Sequence, residues 1–169
     1  MAGVHEAHEA PLDPELRLQH ALDLAYRYLG RRARTEAEVR RQLEDQLVDP
    51  DTLEDAVAEL VRAGYLDDGD YARRFAEDRR TLDGWGPDRI ERRLLELGVD
   101  GHLVAQALAD RDPADERAAA VAILARRFPA LLPTERDRAR ALGVLVRKGY
   151  DLELAHEAIR AYARDDVTI

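Results

Sequence analysis

The amino-acid sequence predicts an all-α protein built from a three-helix unit used three times. Three observations carry this prediction: apolar residues recur at helical spacing from Asp13 onward, capping residues cut the chain into short segments, and the chain superposes on itself when shifted by 51 residues.

Taken in order, the first helix spans about 14–30, with a stripe of Leu18, Leu22, Ala25 and Leu29. Asp13-Pro14 opens it, supplying an N-cap carboxylate and then a proline whose missing N–H costs nothing in a first turn. The second helix covers about 35–47, and the third 50–63, with Leu53, Val57, Leu60 and Val61 behind Asp49-Pro50. Helices over 68–82, 87–97 and 101–110 follow, separated by the turn Gly84-Trp85-Gly86-Pro87 and by the Gly98 region. The last three cover 113–128, behind Asp112-Pro113, then 134–148 and 152–164, with Pro129 and Pro133 interrupting any helix between the first two. Gly30, Gly64, Gly98 and Gly149 each follow a stripe, where a left-handed residue ends a helix well.

The internal repeat orders these elements. At the 51-residue offset Val39 falls on Ile90 and Ala141, Leu43 on Leu94 and Leu145, and Val48 on Val99 and Tyr150. Asp49, Asp100 and Asp151 then coincide as N-caps, followed by Leu53/Val104/Ala155 and Val57/Leu108/Ile159. The first helices align through Ala21/Ala72/Val121, Leu24/Phe75/Leu124 and Ala25/Ala76/Ala125, the last copy with a two-residue shift. The expected organisation is a mobile tail over 1–12 and repeats over 13–66, 67–111 and 112–169. A 51-residue unit closes a small core but leaves apolar ends, which stacked neighbours cover, so an elongated, curved molecule is expected. The alternative is a single globular bundle whose repeats are relics of duplication.

Composition narrows the function. Of 169 residues 46% are apolar and 36% charged, with 26 basic against 35 acidic side chains. This balance suits a chain that folds in water and excludes a membrane protein. The longest apolar run, Ala118 to Ala125, is far short of a span, and the N-terminus lacks the basic-then-apolar order of a secretion signal, so a cytoplasmic location is expected. Zero cysteines removes disulfides, thiolate zinc sites and cysteine nucleophiles. There is no serine and no glycine-rich phosphate loop. His5 and His8 invite a metal reading, but no further ligands lie near them; His20, His102 and His156 stand apart in charged or polar surroundings and read as surface or half-buried residues. Asp67-Asp68 reads as a helix-cap pair rather than an acid–base couple. The expectation is a protein without catalysis, cofactor or metal.

Charge is uneven. Segment 26–41 has six arginines against two acids, 42–70 one arginine against ten acids, and 126–148 seven bases against two acids. Such blocks suggest complementarity with a partner. Arg73, Arg74 and Arg80 lie off the apolar face Ala72, Phe75 and Ala76; Arg89, Arg92 and Arg93 lie off Ile90 and Leu94; Arg40 and Arg41 flank Val39 and Leu43. These eight are the candidate partner-binding residues. For each the plain alternative is a solvated arginine paired to an acid one turn away.

Two stretches resemble the signatures of the RecX regulatory family. One is Arg32-Ala-Arg-Thr-Glu-Ala-Glu-Val-Arg-Arg-Gln-Leu43. The other is Leu60-Val-Arg-Ala-Gly-Tyr-Leu-Asp-Asp-Gly-Asp-Tyr-Ala72, continuing through Phe75 and Arg79 to Gly86-Pro-Asp-Arg-Ile90 and Leu94-Leu-Glu-Leu-Gly-Val99. The third copy matches mainly at Arg147-Lys-Gly-Tyr-Asp151 and Ala158-Ile159. The resemblance implies tandem three-helix repeats and a modulator that binds in the groove of the RecA–single-stranded-DNA filament. Such a protein typically limits the filament's extension and lowers its ATPase, strand-exchange and repressor-cleavage activities. RecA is then the partner, single-stranded DNA is met through the filament, no membrane is involved, and the chain is expected to be a monomer. Many members are less acidic, which weighs against direct DNA binding more than against RecA binding. Within the motif Tyr65, Tyr71 and Trp85 are expected to pack helices, and Asp67 and Asp68 to cap. The competing classes are a DNA-binding helical repeat acting without RecA and an unrelated helical adaptor.

Overall fold

The computed structural model describes residues 13–109, 111–128 and 132–164. Among these residues there are nine α-helices and no strand: α1 Pro14–Leu29, α2 Glu36–Asp45, α3 Pro50–Arg62, α4 Asp68–Asp83, α5 Pro87–Glu96, α6 Gly101–Ala109, α7 Pro113–Arg127, α8 Glu135–Lys148 and α9 Leu152–Arg164. The all-α class is as the spacing predicts. The tail 1–12, with His5 and His8, lies outside the described residues.

Capping sets the helix starts. The carboxylates of Asp13, Asp49 and Asp112 each accept a backbone N–H from the first turn of α1, α3 and α7, at 3.2, 3.0 and 2.8 Å. Asp100 and Asp151 do the same for α6 and α9, at 2.8 and 2.9 Å. Each removes one orphan donor from a helix N-terminus.

The chain divides into two compact units, residues 1–67 and 68–169. In the first, α1, α2 and α3 pack on one another around Ala21, Ala25, Val39, Leu43, Leu53, Val57, Leu60 and Leu66. The second holds two such triplets. One packs α4–α6 around Ala72, Ala76, Ile90, Leu94 and Val104; the other packs α7–α9 around Ala120, Leu124, Ala141, Leu145, Ala155 and Ile159. The columns Val39/Ile90/Ala141, Leu43/Leu94/Leu145, Leu53/Val104/Ala155 and Val57/Leu108/Ile159 are thus buried in all three triplets.

The turn after the middle helix of each triplet is the same turn. Val48 N–H donates to Leu43 O, Val99 to Leu94 and Tyr150 to Leu145, at 3.0, 3.1 and 3.1 Å. The residue before each acceptor-seeking amide is left-handed: Leu47 at φ 60°, Gly98 at 81° and Gly149 at 94°. A leucine therefore sits where the other copies place glycine, with 91% of its surface exposed. Its backbone is strained without a packing return.

The two triplets of the second unit are locked by a backbone clamp. Gly86 N–H donates to Lys148 O at 2.7 Å and Asp88 N–H to Gly149 O at 3.0 Å. A Cβ on Gly86 would stand 2.4 Å from Gly149 O, and one on Gly149 would stand 2.4 Å from the Arg89 Cβ. Only glycine fits at either place. Lys148, the one lysine of the chain, donates from Nζ to Asp83 O at 2.6 Å. The segment expected to be a turn is in fact half of an interlock.

Two details differ from expectation. Gly30 ends α1 in the right-handed region, φ −64°, with its N–H on Tyr26 O, so that helix simply runs out. In α7 the buried residues are Ala120, Ile123 and Leu124, while Ala125 is exposed. The columns are therefore Ala21/Ala72/Ala120, Leu24/Phe75/Ile123 and Ala25/Ala76/Leu124, a three-residue rather than two-residue shift, so Val121, Leu124 and Ala125 each stand one position beyond the expected column. Part of the connection absorbing the shift, residues 129–131, lies outside the described residues.

Leu47→Gly should raise stability by about 0.5–1 kcal/mol, because it relieves a left-handed leucine and loses almost no packing; urea unfolding reads the gain. Gly86→Ala should instead lower stability by about 1–3 kcal/mol through backbone overpacking, seen as a lower Tm. A Gly86→Ala protein as stable as the parent would mean the clamp yields without cost.

Candidate functional site

The eight candidate arginines fall on three helices, α2, α4 and α5, and their surroundings separate them. On α4 the alanines Ala72 and Ala76 face the core, which turns Arg73 and Arg74 outward. Both reach Asp70, Arg73 Nη2 at 2.8 Å from Oδ1 and Arg74 Nε at 2.7 Å from Oδ2. One carboxylate shared by two guanidiniums leaves a local positive charge. Arg80, further along, pairs with Glu77 at 2.9 Å.

On α5, Ile90 and Leu94 are buried, and Arg92 is exposed with no ion pair among the described residues. Arg93 pairs with Glu96 at 3.0 Å. Arg89 is half-buried and structural: its guanidinium lies 4.1 Å over the Trp85 ring, and Nη1 donates to Arg147 O at 3.0 Å. Trp85 also packs edge-on to Phe75, which stacks on Tyr71. Arg79 lies 5.2 Å from the Phe75 ring and 5.5 Å from that of Trp85. The motif aromatics Tyr71 and Trp85 thus pack against the core of their triplet, as expected of them, and Phe75 and Trp85 hold Arg79 and Arg89 by cation–π contact. In the first unit Tyr65 lies edge-on to Tyr26 at 5.1 Å.

In the first unit Arg40 ties α2 to α3. It meets Glu54 at 3.0 Å and Glu36 at 3.2 Å. Arg41, its neighbour, is exposed and has no ion pair among the described residues. Of the eight candidates, Arg41 and Arg92 are exposed with no ion pair among the described residues, Arg73 and Arg74 share one carboxylate, Arg40, Arg80 and Arg93 are each paired to glutamate, and Arg89 is held by an aromatic face and a carbonyl without an acid.

The first motif stretch opens with a capping box. Glu38 N–H donates to Thr35 Oγ1 at 3.2 Å while Thr35 N–H donates to Glu38 Oε2 at 3.0 Å. Arg32 Nη2 adds a contact at 2.6 Å to Glu38 Oε1, with Arg34 at 3.5 Å. Burial raises the Glu38 pKa, but the Thr35 amide and Arg32 outweigh it and hold the group below its usual value. These motif residues build the helix start rather than a site.

Sequence reasoning missed a cleft of about 110 Å³ in the second unit, walled by Arg80, Trp85, Arg111, Glu116 and Tyr150. Arg111 Nη1 and Glu116 Oε1 are 2.7 Å apart, both out of solvent. Burial raises the pKa of Glu116, against the pull of Arg111 and Arg80, and also that of the Tyr150 hydroxyl, where the Glu116 charge adds to the effect. No periodicity announces these groups, since Arg111 and Glu116 flank the Asp112-Pro113 cap.

His20, His102 and His156 are exposed. Among the described residues no three His, Asp or Glu side chains gather to hold a metal ion, and no helix is long and apolar enough to cross a membrane.

Comparison with known proteins gives a consistent result. The profile of the first three-helix domain of RecX matches residues 21–60, and that of the second matches 67–108. The regulatory protein RecX of Deinococcus radiodurans is 35% identical over 161 residues, covering 94% of this chain and 77% of the relative. That of Amycolatopsis mediterranei is 32% identical over 158 residues, covering 92% and 90%. The crystal structure of RecX from Lactobacillus salivarius superposes with a TM-score of 0.78 at 20% identity, over 88% of this chain and 97% of that one, a likeness of fold.

Thr35→Ala should cost about 1 kcal/mol or more at neutral pH. Because the folded pKa of Glu38 is depressed, its contribution is complete above the usual carboxylate range and is lost as pH falls through the lower folded value. Unfolding curves across pH 3–7 check this: Glu38→Gln should flatten the acid limb, and an unchanged limb would refute the assignment.

Proposed function

Because this chain belongs to the RecX family of regulatory proteins, we propose that it binds the RecA–single-stranded-DNA filament and lowers its extension, ATPase, strand-exchange and repressor-cleavage activities. It does so as a monomer in the cytoplasm, and no bond is made or broken. The observation that carries the reading is the outward arginine surface of α4 and α5. Arg73 and Arg74 share Asp70, and Arg92 has no acid partner among the described residues.

The physical step is a shift of equilibrium. A bound regulator alters a filament only by binding one of its conformations or ends more tightly than another. Helix-borne arginines suit this, because the helix fixes the spacing of the charges and a displaced acceptor loses the contact. Arg40, Arg80, Arg89 and Arg93 contribute by holding their helices and by setting the potential around the free cations. The repeats over 13–66, 67–111 and 112–169 are the proposed organisational units, each presenting one helix face to the filament.

RecA-dependent ATP hydrolysis on single-stranded DNA tests the reading. The parent chain should lower the rate in proportion to its concentration. Charge reversal at Arg73, Arg74 and Arg92 together should raise the concentration for half effect by about tenfold or more, with helix content by circular dichroism unchanged. Full inhibition by the triple variant would refute the surface. Unchanged hydrolysis at excess parent chain, with strong binding to bare DNA, would favour the RecA-independent DNA-binding alternative.

A further inference from the structure

The third triplet carries charge that neither the fold nor the α4–α5 surface uses. On α8, Arg136, Arg140, Gly143 and Arg147 recur at i, i+4, i+7 and i+11 and so share one face, opposite the buried Ala141 and Leu145. All three arginines are exposed, Arg140 by 69% of its side chain. Arg140 has only a 3.9 Å approach to Asp137, and the guanidiniums of Arg136 and Arg147 have no ion pair among the described residues. Arg138, on a different face of the same helix, is by contrast matched to Glu135.

Fold stability does not account for this stripe. Arg136 stands at the second position of α8, where the positive end of the helix dipole disfavours a cation. Gly143 in a helix interior costs up to about 1 kcal/mol relative to alanine. A Cβ there would stand 3.1 Å from Arg147 Nη1, so the glycine lets that guanidinium lie close against the helix. The C-terminal carbonyls of α8 are already taken by Gly86, Asp88 and Arg89, which leaves the Arg147 side chain unneeded as a cap.

We propose that this α8 face is a phosphate-contacting track for a single nucleic-acid strand, with Arg136, Arg140 and Arg147 each taking one phosphate. The three span about 16 Å along the helix. Arginine and glycine make up the stripe itself, and the exposed apolar residues of α8, Ala139 and Val146, lie along one flank of it, so the stripe offers little to bury against a protein helix. A phosphate backbone needs only charge and donors, and guanidinium supplies both in a fork that matches phosphate oxygens. The inference deepens the filament reading by assigning the DNA strand to the third triplet and leaving the α4–α5 surface to protein.

The test uses the whole chain and a fluorescein-labelled 30-nucleotide oligo(dT), read by anisotropy without RecA. Affinity should fall with salt along a log–log slope near −2, about −0.7 for each phosphate neutralised. Arg136→Ala/Arg140→Ala/Arg147→Ala should weaken binding at least tenfold at low salt and bring the slope toward zero; Arg138→Ala should change neither. Circular dichroism should be unaltered, since all three side chains are exposed. Undetectable binding by the parent at 50 mM salt, an unchanged slope in the triple variant, or tighter binding to labelled polyglutamate than to oligo(dT) would each overturn the proposal. A parent chain that fails to bind oligo(dT) yet inhibits RecA would sink this inference alone; a parent chain that binds oligo(dT) yet leaves RecA hydrolysis unchanged would sink the filament reading alone.

Discussion

The second unit depends on one close approach, that of the Gly86 and Gly149 backbones. The N-terminus of α5 presents unpaired N–H groups and the C-terminus of α8 unpaired carbonyls, and each end satisfies the other. The dipole ends are opposite in sign, so the pairing is favourable beyond the hydrogen bonds themselves. Only two residues without side chains allow the backbones so near. Around this contact the remaining ties assemble: Arg89 onto Arg147 O, Lys148 onto Asp83 O, and Trp85 held beneath Arg89. Two motif stretches of the sequence, around Gly86 and around Gly149, are therefore halves of one joint rather than two binding elements.

That joint sorts the arginines by role. Those at it or beside helix seams, Arg40, Arg79 and Arg89, are held by carboxylates, aromatic faces or carbonyls and stiffen the surface. Those pointing away from seams, Arg41, Arg92, Arg136 and Arg147, are exposed and have no ion pair among the described residues. The Asp70 carboxylate between Arg73 and Arg74 is an intermediate case. An exposed pair gains little in stability, about 0–1 kcal/mol, so these arginines cost the fold little and their arrangement is open to be set by what they bind.

Much of the fold was legible in the sequence because caps are local. Asp13, Asp49, Asp100, Asp112 and Asp151 announce helix starts within a few residues, and the 51-residue repeat places the core columns by comparison of a chain with itself. The clamp was not legible, since Gly86 and Gly149 occupy different columns of the repeat and meet only through tertiary packing. Nor was the role of Leu47: leucine carries no turn signal, and only the matching bonds at Val48, Val99 and Tyr150 show a shared turn that one copy makes with leucine. For the site, charge blocks identified the right regions but not which arginines are free. An acid three or four residues away can be anticipated; Glu54 bound to Arg40 across fourteen residues, or Trp85 beneath Arg89, cannot.

A net charge of −9 and a track for phosphate are compatible because of range. At physiological ionic strength the screening length is about 8 Å, shorter than the α8 stripe itself. A phosphate against Arg140 therefore responds first to the guanidiniums on that face. The net negative charge lowers the rate of unguided encounter with a nucleic acid. Attachment to a filament changes that balance, since a protein contact through α4 and α5 would bring the strand within reach of α8 and convert a weak encounter into an intramolecular one. An acidic chain with a local cationic track is thereby suited to a strand already wrapped in protein and poorly suited to naked nucleic acid at large.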